Sequence, residues 1–95
     1  MYVVLLTFSD NKGDAGKHMQ GHKDWLQAGF DDGVFLMAGS LQPNRGGAIL
    51  AHNVTHADLT TRVESDPFVA ANVVGAEILE IAPSRADPRL NFLLG

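Results

Sequence analysis

Two apolar runs, residues 34–41 and 48–52, are separated only by Gln42-Pro43-Asn44-Arg45-Gly46-Gly47. A connection that short, made of proline, asparagine and paired glycines, turns the chain back and permits only antiparallel pairing. The rest of the chain must be arranged around this hairpin. Before it, residues 2–8 form a continuous apolar, β-branched-rich run that ends at Ser9-Asp10-Asn11-Lys12-Gly13-Asp14. That run reads as a central strand, buried on both faces or nearly so. From Ala15 to Asp31 the period changes. His18, His22, Trp25, Leu26 and Gly29 recur at spacings of three and four, one face of a helix, with Lys17, Lys23, Asp24 and Gln27 opposite and Gly33 to end it.

After the hairpin, Thr55 is placed to cap a helix from His56 to about Glu64, with Leu59 and Val63 four residues apart. Ser65 or Asp66 caps a further short helical stretch, with Pro67 at its first position and Phe68 following. Residues 75–82 set Ala76, Ile78, Leu79 and Ile81 among Glu77 and Glu80, as a half-buried strand does. Residues 83–88 are irregular, and Leu90-Asn91-Phe92-Leu93-Leu94 is an apolar tail. The order β-α-β-β-α-β, with right-handed crossovers around a hairpin, predicts an α+β ferredoxin-like sandwich with both helices on one face of a four-stranded antiparallel sheet. The expected division is a domain over residues 1–83 and a tail over 84–95 that packs on the domain or on a partner copy. The other sheet face is left apolar and uncovered, so a homodimer that joins two sheets is expected.

Composition narrows the functional classes. The 95 residues suffice for one domain, and the absence of cysteine excludes disulfide frameworks, thiolate metal clusters and thiol catalysis. Eleven acidic against seven basic residues give a net charge of −4, which argues against nucleic acid or an acidic membrane surface as partner. The first apolar run lacks a positive leader and stops at Asp10, unlike a signal peptide, and no run approaches the roughly 18 apolar residues of a membrane span. A soluble, cytoplasmic protein is expected.

Histidine is then the most reactive side chain available. His18 and His22 have the i, i+4 spacing that lets two imidazoles reach one metal, but the glutamate of an HExxH pattern is missing, since Met19 follows His18. No metal and no cofactor is expected, and His52 and His56 read as solvated. His22 lies three residues before Trp25 and four before Leu26, at the edge of the buried helix face. An imidazole there needs a partner, and Asp66, fixed by Pro67 and anchored by Phe68, is the best carboxylate for it as well as a helix cap. Ser40 ends the Ala38-Gly39-Ser40 stretch, where Gly39 marks a possible close approach of ligand, but it lacks the strand-to-helix elbow of a serine hydrolase. Gly46-Gly47 lacks the Lys-Ser/Thr pair and following helix of a phosphate loop and reads as a hairpin turn.

The segments His22-Lys23-Asp24-Trp25-Leu26, Phe35-Leu36-Met37-Ala38-Gly39-Ser40, Gly46-Gly47-Ala48-Ile49-Leu50 and Ser65-Asp66-Pro67-Phe68-Val69-Ala70-Ala71, in that order, resemble the YCII-related (YciI-like) domain family, from Tyr2 to about Pro83. The resemblance implies a dimeric α+β barrel of ferredoxin-like subunits with a His–Asp pair in a cleft, which maps onto His22 and Asp66. Ser40 stands where many relatives have proline or serine, and Ala70-Ala71-Asn72 replaces a stretch that often reads Ala-Gly. The expected function is a small cofactor-free enzyme, of lyase, isomerase or hydrolase type, with His22, Asp66 and Ser40 as the catalytic candidates. Trp25, Phe35, Met37, Gly39 and Phe68 are the expected pocket, around a small organic ligand. The alternative is a dimeric module that binds a small ligand without turning it over.

Overall fold

The computed structural model describes residues 1–94. Four strands, β1 (Tyr2–Phe8), β2 (Phe35–Leu41), β3 (Gly46–Ala51) and β4 (Val74–Glu80), alternate with α1 (Ala15–Asp31), α2 (His56–Glu64) and the single-turn α3 (Pro67–Ala70). The strands form one sheet in the order β2-β3-β1-β4, every neighbouring pair antiparallel. This is the ferredoxin-like arrangement, with the β2–β3 hairpin and the two crossovers reading as expected.

Local chemistry sets the element ends. The Thr55 hydroxyl accepts a hydrogen bond from the Asp58 amide at 3.1 Å and opens α2. Asp66 accepts from the Phe68 amide at 3.0 Å, with Pro67 in the first turn, and opens α3. Gly33, at φ 73°, supplies the left-handed residue that releases the chain from α1 into β2.

The helices cover only one face of the sheet, so β1 is not buried on both sides as its continuous apolar run suggests. Tyr2, Val4 and Leu6 are buried toward the helices, while Val3 and Leu5 are half-buried and Thr7 is exposed on the far face. The core joins those three side chains to Ile49, Ala51, Trp25, Phe35, Leu59 and Val63. On the far face the pairings Met37↔Leu50, Val3↔Leu50 and Val3↔Leu79 align four apolar side chains across the sheet, with Met37 55 % and Leu79 43 % exposed. An irregularity at the start of β2 produces this: Phe35 pairs with Ala51 and points inward, whereas Met37 pairs with Leu50 and points outward. The tail carries a 3₁₀ helix at Pro88–Leu93, whose Phe92 ring meets the His52 ring edge-on at 5.5 Å. No helix among the described residues is long and apolar enough to cross a membrane.

Candidate active site: a histidine–carboxylate pair beside an apolar cleft

His22 sits midway along α1, and Asp66 is held by the cap of α3. The α1 helix rests on α3 closely enough that a Cβ on Gly21 would meet the Pro67 ring at 3.1 Å. This approach brings the His22 Nδ1 to 2.9 Å from the Asp66 Oδ1. The same Oδ1 accepts the Phe68 amide, so capping α3 and holding His22 are one arrangement rather than two roles in competition. The Asp66 side chain is fully buried and that of His22 is 14 % exposed. The Asp66 Oδ2, also buried, has no hydrogen-bond partner among the described residues.

Stacking fixes the plane of the imidazole. The Phe68 ring lies parallel to it, 4.0 Å between centroids and 6° between planes, and Trp25 lies on a looser stack at 5.9 Å. An ionised Asp66 accepts from Nδ1–H, which makes Nδ1 the protonated nitrogen of the neutral ring and leaves Nε2 with its lone pair. With Nδ1 engaged by a fully buried carboxylate, Nε2 is the nitrogen left free of that bond, on a ring that lines the cleft.

That cleft has a volume of about 330 Å³, near the lower end of the roughly 300–1,000 Å³ typical of ligand pockets. Met19, His22 and Leu26 of α1 form its roof, with Phe68 of α3, and its floor on the sheet combines the side chains of Leu6, Ile49 and Val74 with the small residues Ala38, Ser40, Gly46 and Gly47. Ser40 pairs with Gly47, which pairs with Leu6, so all three face the helix side. Of the residues expected to line the pocket, Gly39 and Phe68 do so.

Three others do not. Trp25 points into the core, where its indole N–H donates to the Arg62 carbonyl at 2.9 Å, and it borders a separate shallow groove along α2. Phe35 is locked under α1 against Trp25 and Phe30, its ring filling the space beside Gly29. Met37 is on the opposite face of the sheet, turned there by the irregularity after Phe35. Ser40 lines the cleft but makes no hydrogen bond to His22, so the described residues form no Ser–His nucleophile pair. Nor does any group of three His, Asp or Glu among the described residues have the geometry to hold a metal ion, which leaves His18 and His22 without a third ligand.

The cleft residues not foreseen from the sequence are Leu6, Phe8, Met19, Leu26, Ala38, Gly46, Gly47, Ala48, Ile49 and Val74. The signal for several was the side-to-side register of the hairpin, which puts Ser40, Gly47 and Leu6 in one row.

Fold and site together define a ferredoxin-like α+β domain with a histidine bonded to a buried carboxylate in the wall of an apolar cleft. No protein-family model matches the sequence, and no curated protein gives a significant match. Among solved structures the chain is similar to the 5-chloro-2-hydroxyhydroquinone dehydrochlorinase TftG of Burkholderia phenoliruptrix AC1100, in complex with 2,5-dihydroxybenzoquinone. The two share a TM-score of 0.68 at 12 % identity, over 85 % of this chain and 93 % of that one. At that identity the likeness is one of fold.

Proposed function

We propose that this chain is a small-molecule enzyme of the YCII-related type, in which His22 Nε2 takes and returns a proton on a substrate held in the cleft. Asp66 orients the ring and stabilises the imidazolium once the proton has moved. The observation that carries this reading is the 2.9 Å bond between His22 and a fully buried Asp66, in a wall that faces an open cavity. A base fixed in one tautomer by a buried carboxylate suits proton abstraction coupled to elimination or isomerisation, contributing typically ~10²–10⁴-fold. Neither that chemistry nor the motifs of this chain call for a cofactor. The likeness in fold to a dehydrochlorinase bound to a small quinone supports a small organic substrate.

The active form we propose is a homodimer joined through the sheet face that carries Val3, Met37, Leu50 and Leu79, whose apolar row supports burial against a second copy. The test is turnover of a panel of chlorinated and hydroxylated quinols by wild type, His22→Ala and Asp66→Asn. Loss of activity in His22→Ala, with a smaller loss in Asp66→Asn, is expected. A reaction that survives both substitutions unchanged rules the assignment out. Binding of panel members with no turnover by any form would instead establish the non-catalytic module.

A further inference from the structure

Beside Leu6, Ile49 and Val74, the floor of the cleft carries a patch of small residues. In it Ala38 contributes a methyl group, Ser40 a hydroxymethyl, and Gly46 and Gly47 no side chain. The two glycines are there for different reasons. Gly46 has φ 133°, and a Cβ on it would drive into the Leu6 carbonyl of the neighbouring strand, so the fold itself demands glycine. Gly47 has no such need. Its φ is not positive, and the one close contact of an added Cβ would be the Gly39 carbonyl oxygen at 3.2 Å, a tight contact but far milder than the clash at Gly46. Its register between Ser40 and Leu6 aims the missing side chain at the cavity. What glycine provides at position 47 is therefore room in the cleft.

The chemistry of the walls is equally specific. No lysine, arginine, aspartate or glutamate lines the cleft, and the side chains that offer polar atoms are His22 and Ser40. Lys12 lies over the Phe8 ring at 4.7 Å and is not among the lining residues. A ligand bearing a fixed charge would lose hydration with no Lys, Arg, Asp or Glu side chain lining the cleft to pair with it. A small flat ring bearing hydroxyl or carbonyl oxygens suits such a lining, with His22 and Ser40 as the polar side chains it would meet.

We infer that Gly47 is the specificity-determining residue of this site and that it admits an uncharged, planar, oxygen-substituted ring. The inference rests on the proposed function only in taking the cleft as the substrate site, and its test reads binding rather than turnover. The experiment titrates resorcinol, benzoate and 1,3-cyclohexanediol into ¹⁵N-labelled wild type, Gly47→Ala and Gly75→Ala. Gly75 pairs with Thr7 on the far face, where an added Cβ meets nothing within 4 Å. Resorcinol is expected to shift the Ser40 and Gly47 amides and the His22 ring in wild type and Gly75→Ala, and to bind at least tenfold more weakly to Gly47→Ala. Benzoate and the puckered diol are expected to bind at least tenfold more weakly than resorcinol. Should Gly47→Ala fail to fold, Ala38→Val narrows the same floor from β2 and is expected to give the same loss. Equal affinity in wild type and the narrowed variant, equal affinity for benzoate or the diol, or no resorcinol shifts in the cleft would each overturn the inference. Turnover that is insensitive to His22→Ala would refute the catalytic role and leave this result standing.

Discussion

Asp66→Asn separates the charge of the carboxylate from its shape. Asparagine fills the same buried volume and keeps one carbonyl oxygen to accept from the Phe68 amide and from His22, the two bonds of 3.0 and 2.9 Å that Oδ1 makes. What it removes is the charge from both. Hydrogen bonds to charged groups contribute ~1.5–3 kcal/mol against ~1 for neutral ones, so each bond loses roughly 1 kcal/mol. The new amide NH₂ occupies the place of Oδ2, which already lacks a partner, so one unsatisfied group replaces another and that cost largely cancels. The expected destabilisation is then about 2 kcal/mol. For a domain of this size ~1 kcal/mol moves the melting temperature by about 4–8 °C, which gives a fall of about 8–16 °C in a thermal melt followed by circular dichroism at pH 7. A fall of less than about 2 °C, with His22 ring shifts unchanged, would refute the claim that an ionised Asp66 holds both groups.

Four further outcomes follow from the same structure. Phe68→Ala removes a buried ring that stacks on His22, and a loss of about 3–5 kcal/mol in urea unfolding is expected, with chemical-shift changes at His22. Gly29→Ala forces a methyl into the Phe35 ring and is expected to destabilise by about 1–3 kcal/mol, relieved in the double variant with Phe35→Leu. Leu79→Glu charges the apolar row of the open sheet face; light scattering should give twice 10.2 kDa for the wild type and a monomer for the variant. Asp87 is held below the usual carboxylate range by the side chain of Arg89 and then by the Arg89 amide. An NMR titration of Arg89→Ala should return it part of the way upward. Because the folded value is the lower one, what this contact adds to the tail's order is present above the unfolded pKa and lost as pH falls through the folded one.

Features written in local chemistry were legible from the residues alone. Thr55 before His56 and Asp66 before Pro67 carry their caps on their faces, and the three-and-four spacing of His22, Trp25 and Gly29 defines the buried stripe of α1. The proximity of His22 and Asp66 was readable because both lie where a helix edge meets a constrained turn. What failed was side-chain direction. Trp25, Phe35 and Met37 were expected around the ligand because they are large, apolar and near His22 in sequence or in the hairpin. Phe35 and Met37 are two residues apart and would share a face in a regular strand, but the irregularity between them sends one into the core and the other to the far side. Trp25 was drawn away by a backbone carbonyl on α2, a partner 37 residues distant. Gly46-Gly47 reads as turn chemistry, but the turn is made by residues 42–45 and both glycines stand in β3, paired with Leu41 and Ser40, a register that composition does not show.

The central claim is that Asp66 fixes His22 with Nδ1 protonated and Nε2 open to the cleft as the base. Two-bond ¹H–¹⁵N correlation of the His22 ring, followed through its titration, reads this directly. The account predicts that the neutral ring carries its proton on Nδ1, with the Nε2 resonance at the unprotonated position, and that Asp66→Asn reduces this preference. A neutral His22 protonated on Nε2 in the wild type would contradict it.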